Sequence, residues 1–119
     1  MNDYPKKIKR LLREFAAEAY EKELSRELVQ LDESFSEWRN GNINNGELSN
    51  RIHLYETGAS RELFKKYNEG KNDFNVAYAI ITGILNREDI PKALIEAIDK
   101  QLDFYQSLKE DGELRMPGE

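Results

Sequence analysis

The chain has 119 residues, 39% of them hydrophobic and 34% charged, with a formal net charge of −5, no cysteine and one histidine. That length supports a single domain with one core, while the absent Cys and lone His exclude thiol chemistry, disulfide scaffolds and Cys/His metal centres. No apolar run approaches the ~18–20 residues that span a bilayer and the first residues lack the apolar core of a signal peptide, so the expectation is a cytoplasmic helical protein without cofactor or metal.

The first predicted helix covers residues 4–39. Asp3 is a suitable N-cap and Pro5 falls in the first turn, where its missing N–H costs nothing. From there to Arg39 there is no Gly and no further Pro, and strong helix formers dominate. Tyr4, Ile8, Leu11, Leu12, Phe15, Ala16, Ala19, Tyr20 and Leu24 recur at three- and four-residue steps. Leu24, Leu28, Leu31, Phe35 and Trp38 then alternate steps of four and three, close to a coiled-coil seam. The run from Asn40 to Gly46, rich in Asn and Gly, ends this helix in a turn.

The second helix is predicted over 47–68, with Leu48, Ile52, Tyr55, Ala59 and Leu63 on one stripe that Phe64 and Tyr67 widen. Gly58 inside it marks a weak point or kink. The cluster from Asn68 to Asp73 forms the next turn, with Gly70 as C-cap and Asn72 or Asp73 as the following N-cap. The third helix, 74–87, is apolar around most of its circumference and therefore belongs at the centre. Asp89 and Pro91 open a fourth helix over 90–110, on which Leu94, Ile95, Ile98, Leu102, Tyr105 and Leu108 form a stripe. Residues 111–119 read as a loose tail. Short loops favour antiparallel neighbours, so the predicted fold is all-α: a single domain, residues 1–119, forming a four-helix antiparallel bundle whose first helix is longer than its neighbours.

That excess length leaves Ile8, Leu11, Leu12 and Phe15 as a candidate interaction surface, joined by Trp38 beside the first turn, since Trp is enriched in binding hot spots. A homodimer through the long helix is the expected assembly, because twofold dimers are the commonest oligomers.

Charge is unevenly placed. Within the first thirteen residues Lys6, Lys7, Lys9, Arg10 and Arg13 face one acid, Asp3. Residues 14–38 carry eight acids and two bases. The basic end is a candidate polyanion-binding surface, although the overall acidity speaks against a dedicated nucleic-acid binder. The segment 51–67 holds the densest set of specialised side chains. On a regular helix His53, Glu56 and Ser60 fall on one ridge, and with Arg51 and Arg61 they form a candidate groove-edge cluster. Successive turns of one helix aim side chains outward in parallel, and nothing here supplies an oxyanion hole, so no catalytic residues are assigned.

A long first helix, a short turn and further helices in a dimer resemble the architecture of the all-helical chorismate mutases. The resemblance reaches to about the second turn. It implies an enzyme that clamps an anionic metabolite with side chains from several helices, with Arg10, Arg13, Arg51, Arg61 and Glu62 in those roles. Taken together, the residues point first to a non-catalytic protein–protein contact or regulatory module, with a nucleic-acid-associated regulator and a small helical-bundle enzyme as the alternatives.

Overall fold

In the computed structural model, which describes residues 3–119, the chain is all-helical. Helix α1 runs Lys6–Arg39. Helix α2, Asn45–Tyr55, continues through a π-helical turn, Glu56–Ser60, into α3, Arg61–Glu69. Helix α4 spans Asn72–Thr82, α5 Lys92–Ala97 and α6 Asp99–Glu110, with a short 3₁₀ turn at Arg87–Asp89. No described helix is long and apolar enough to cross a membrane.

The N-terminus of α1 is set by Pro5 in the capping position rather than by Asp3, and Pro5 makes no side-chain cap. Asp3 instead pairs with Lys9 at 3.2 Å. The other end closes as the Asn/Gly run requires. Gly41 adopts φ +77, and the Gly41 and Asn42 N–H groups bond back to the Trp38 and Glu37 carbonyls at 3.0 and 2.8 Å. This is the Schellman arrangement, which satisfies helix-end carbonyls through a left-handed residue that glycine adopts without strain. Asn44 then caps α2, accepting from the Glu47 N–H at 2.8 Å.

The core lies at one end of the molecule. Ile8, Leu12, Ala16 and Ala19 from α1 pack with Val76, Ala77, Ala79, Ile80, Ile81 and Leu85 from α4 and just beyond it, and with Ile90, Leu94, Ile98 and Leu102. A buried polar tie beside it joins the segment before α1 to α4 and α6. The carboxylate of Asp73 accepts from the Tyr4 hydroxyl at 2.9 Å and from Gln101 Nε2 at 3.1 Å.

Residues 24–69 form a different kind of structure. The second half of α1 and the α2–α3 helix pair antiparallel, as shown by Trp38 on Asn45, Arg51 on Ser34, and Lys66 on Glu23. This two-helix arm stretches the molecule to 53 × 32 × 26 Å. Its radius of gyration is 17.1 Å, against about 13.5 Å for a compact chain of this length.

The all-helical class agrees with the sequence; the arrangement of the helices differs. Along α4 and α6, Asp73 meets Gln101, Phe74 and Tyr78 meet Tyr105, and Ile81 meets Lys109. Both positions rise together, so these helices run parallel. Thr82–Ile84 lie beside Lys22–Arg26 while Asp73 lies beside Tyr4, so α4 also runs parallel to α1. The return path is the stretch from Gly83 through α5, longer than a hairpin loop. It exists because α4 stops at Thr82, with Gly83 at φ +85, five residues before the predicted end. The predicted fourth helix is interrupted at the fully buried Ile98 (φ −109).

Candidate functional site

A broad concavity lies where the arm joins the body. It is a cleft of about 680 Å³ bounded by α1, α3, α4, α6 and the segment after α6. Its floor is built around Glu23. Positions 8, 12, 16, 19 and 23 follow one face of α1, and the first four are core residues, so the helix carries Glu23 inward at the point where the core ends. The Glu23 side chain is only 8% exposed. Its Oε2 accepts from Lys66 Nζ at 3.0 Å and from the Tyr67 hydroxyl.

Around this carboxylate the aromatic rings are close. Tyr67 stacks on Tyr20 with centroids 5.0 Å apart. The Lys66 ammonium also sits 3.8 Å from the Tyr78 ring centroid, where the ring quadrupole attracts it. Burial lowers the Lys66 pKa below the ordinary lysine range, with Glu23 opposing that shift. Burial and the neighbouring Glu23 carboxylate raise the Tyr67 hydroxyl, and burial foremost pushes Tyr78 up to about 12. Both shifts on tyrosine have one cause in common: ionisation would place a second anion beside Glu23 in a poorly hydrated site. The set therefore holds one buried carboxylate, one ammonium and neutral phenols, and it locks α1 to α3 at the root of the arm.

The sequence-derived candidates fall in three places. Ile8 and Leu12 are buried in the chain's own core, with Leu11 and Phe15 partly buried against it. They are therefore not an uncovered surface; α4 to α6 reach them because the chain turns parallel to α1 instead of stopping short of it. Trp38 remains 40% exposed at the arm tip, its indole N–H donating to Asn45 Oδ1 at 2.7 Å. The apolar residues left in solvent lie further along the arm. Leu28, Val29, Ile52, Leu54 and Phe64 are all exposed. In residues 24–69 only Ser34 and Leu48 are buried.

Lys6, Lys7, Lys9, Arg10 and Arg13 are all exposed. Lys9 and Arg13 share a shallow pocket of about 370 Å³ with Lys71, a base the sequence did not connect to them.

The groove-edge cluster is dispersed. Arg51 turns toward α1, bonding to Glu37 and to Ser34 Oγ at 3.2 Å, and to Glu47 at 3.1 Å on its own helix. These carboxylates, Glu47 first, raise its pKa. His53, Glu56 and Arg61 are exposed, whereas Ser60 is half-buried. The π turn at Glu56–Ser60 is the cause. It inserts an extra residue into the helical repeat, so the spacing that aligns His53 with Ser60 on a regular helix no longer does so. Arg13 and Arg51 do not converge within one chain either. Arg51 reaches α1 at Ser34 and Glu37, which is roughly 30 Å along the helix from Arg13 at 1.5 Å per residue.

The Glu23 cluster was not singled out from sequence, where Glu23 is one of the eight acids of residues 14–38. The signal available was its step of four from Ala19 along the apolar stripe. No protein-family model matches the chain, and neither a curated protein nor a solved structure matches it.

Proposed function

We propose that this protein is a non-catalytic protein–protein contact module that self-associates through the two-helix arm. The observation that carries the reading is the distribution of exposed apolar side chains. Among the described residues, six of the seven large hydrophobics in solvent (Leu28, Val29, Trp38, Ile52, Leu54 and Phe64) lie on the arm, and the seventh is Phe104 on α6. Scattered exposed apolar residues are ordinary, but a concentration on one projecting element marks a contact surface. In the run Leu24, Leu28, Leu31, Phe35 and Trp38, which has the spacing of a helix–helix seam, Leu24, Leu31 and Phe35 are half-buried while Leu28 and Trp38 stay exposed, and that exposed pair favours a second copy of the same arm.

Light scattering on the intact protein across a concentration series tests this. A dimer is expected, converting to monomer when Leu28→Glu and Phe64→Glu are combined with helical content unchanged. A wild-type protein that stays monomeric at the highest concentration refutes it.

A second reading attaches to the basic end. Lys6, Lys9, Arg10 and Arg13 recur at three- and four-residue steps along α1, and Lys71 extends the positive surface beyond the helix. This supports contact with a phosphate backbone. Binding to a nucleic-acid duplex should then fall steeply with salt and disappear when the five N-terminal bases become Gln; salt-insensitive or absent binding removes this reading.

A further inference from the structure

The two sides of the arm differ. The cleft and the gap next to it open on one side, where Arg26 comes from α1 and Leu54 and Glu62 from the facing helices. Two residues along a helix turn the chain by ~200°, at ~100° per residue. Leu24 and Leu28, each two residues from Arg26, therefore lie on the other side. So do Ile52, two residues before Leu54, and Phe64, two residues after Glu62. Phe35 joins them, seven residues after Leu28. The π turn Glu56–Ser60 is what brings Ile52 and Phe64 onto one face. On a regular helix they would stand ~120° apart; with one extra residue taken up by the turn the offset falls to ~20°. Leu28, Ile52 and Phe64 are exposed, and Leu24 and Phe35 are half-buried.

Charged residues border this face at matching places. Glu21 lies seven residues before Leu28 and Arg39 eleven after it, so both stand within ~20° of Leu28, at opposite ends of the face. Glu56 follows Ile52 by one turn, and Arg61 precedes Phe64 by three residues. All four are exposed, and among the described residues none of them takes part in an ion pair within the chain. The arm's own register is set by Ser34 opposite Arg51 and Glu23 opposite Lys66. Its middle therefore falls near residue 29 of α1 and residue 58 of the facing helices.

We infer that this face docks on the same face of a second copy with the two arms antiparallel, about a twofold axis that crosses the arm at its middle. The inference rests on the arm association proposed above and gives it a face and a direction. In a twofold interface each contact is made twice with the roles exchanged. One axis then matches Leu24 with Phe35 of the partner subunit and Ile52 with Phe64 of the partner subunit. The same axis matches Glu21 with Arg39 of the partner subunit and Glu56 with Arg61 of the partner subunit. The midpoints of these pairs fall at residues 29–30 of α1 and 58–59 of the facing helices. They agree with the arm's own register to within about two residues, or ~3 Å. Apolar groups meet apolar groups and acids meet bases, which is the complementarity that fixes register between partners. Antiparallel arms also keep the basic ends of the two chains, Lys6 to Arg13, far apart. Parallel arms would set those ends side by side and separate Glu21 from Arg39 of the partner subunit by ~27 Å.

The chain has no cysteine, so single introduced cysteines report the direction of the arms. Full-length Glu21→Cys and Arg39→Cys proteins are oxidised separately and as an equal mixture, and interchain disulfides are followed by non-reducing electrophoresis. Light scattering on the wild type and on each reduced variant gives the oligomeric state. Thiols held together in a dimer meet at an effective concentration on the order of millimolar. The mixture is therefore expected to cross-link at least about tenfold faster than either protein alone. Ile52→Cys mixed with Phe64→Cys gives the same pattern and carries the test if the first pair fails to dimerise. Either protein cross-linking alone as fast as its mixture, or no cross-link from a dimeric mixture of either pair, overturns the antiparallel docking and leaves the arm association standing. A wild-type protein that is monomeric at the highest concentration removes both.

Discussion

The Glu23–Lys66 pair gives a quantitative check on how the arm is fixed to the body. Glu23 is 8% exposed and Lys66 27% exposed at the side chain, with 3.0 Å between them. Replacing Glu23 by Leu removes a charge-assisted bond worth about 1.5–3 kcal/mol and leaves the Tyr67 hydroxyl without its acceptor. Lys66 keeps its seat over the Tyr78 ring and some water, which limits the damage. The expected loss is about 2–3 kcal/mol. Lys66→Met strands the nearly buried carboxylate, but it also removes an ammonium whose burial is unfavourable, so about 1–2 kcal/mol is expected. The double variant Glu23→Leu/Lys66→Met should lie within about 1 kcal/mol of wild type, because well-packed apolar residues often replace a buried pair at little cost. Urea denaturation of the four proteins supplies the cycle, and the expected coupling is about 2 kcal/mol or more. Single losses that add within 0.5 kcal/mol, the ordinary behaviour of independent sites, would show that the pair does not act as a unit.

Three further outcomes follow from the same structure. Tyr78 is raised to about 12 from 10.0, and Tyr67 and Tyr105 are also raised; their contribution to stability is complete below pH 10 and is lost as pH climbs toward 12. Lys66, lowered from 10.5, acts in the opposite sense only up to pH 10.5, so the urea midpoint should fall above that pH, and less steeply in Tyr78→Phe. Gly58 has open space where a Cβ would be placed, so Gly58→Ala should stabilise by about 0.5–1 kcal/mol, whereas Gly83→Ala, at φ +85, should destabilise by about 1 kcal/mol or more; equal effects in thermal melts would contradict the assigned backbone. Asp73→Ala removes the acceptor shared by Tyr4 and Gln101 and should cost about 2 kcal/mol, with Asp73→Asn losing less in the same melts.

The parts of the fold legible from sequence are those where local chemistry and tertiary demand agree. Helix α1 was legible because no Gly or Pro interrupts it from residue 6 to residue 39, and the first turn because its Asn and Gly residues suit a left-handed closure. The end of α4 was obscured by its own hydrophobicity: apolar residues continue past Gly83 to Leu85, and periodicity cannot tell a buried helix from a buried turn. The break at Ile98 has no Gly or Pro to announce it, and the full burial of Ile98 points to tertiary packing as its cause. For the candidate sites, Gly58 did mark a weak point, but as a π turn it also reset the helical register and separated His53 from Ser60. Glu23 was hidden because a carboxylate among many others looks solvated until the partner helix supplies Lys66 and Tyr67.

The two halves of the molecule are stabilised by different means, and this bears on how the arm works. At the body end, Ile8, Leu12, Ala16 and Ala19 contribute to a continuous apolar core. Beyond Glu23 the apolar residues of the facing helices are mostly only half-buried, as at Leu24, Leu31, Phe35, Tyr55 and Leu63, Arg51 is bound by Glu37, Glu47 and Ser34, and a gap of about 260 Å³ remains between them. Exposed ion pairs of this kind contribute at most about 1 kcal/mol each, and short helices whose apolar interface is only half-covered are marginal in water. The arm therefore owes its persistence to the length of α1 and to its anchor at Glu23, Lys66, Tyr67 and Tyr20. A second arm laid along Leu28, Trp38, Ile52 and Phe64 would supply the apolar burial that the intramolecular pairing lacks. The same uncovered residues that weaken the isolated arm thus provide the driving force for association, without any rearrangement of the body.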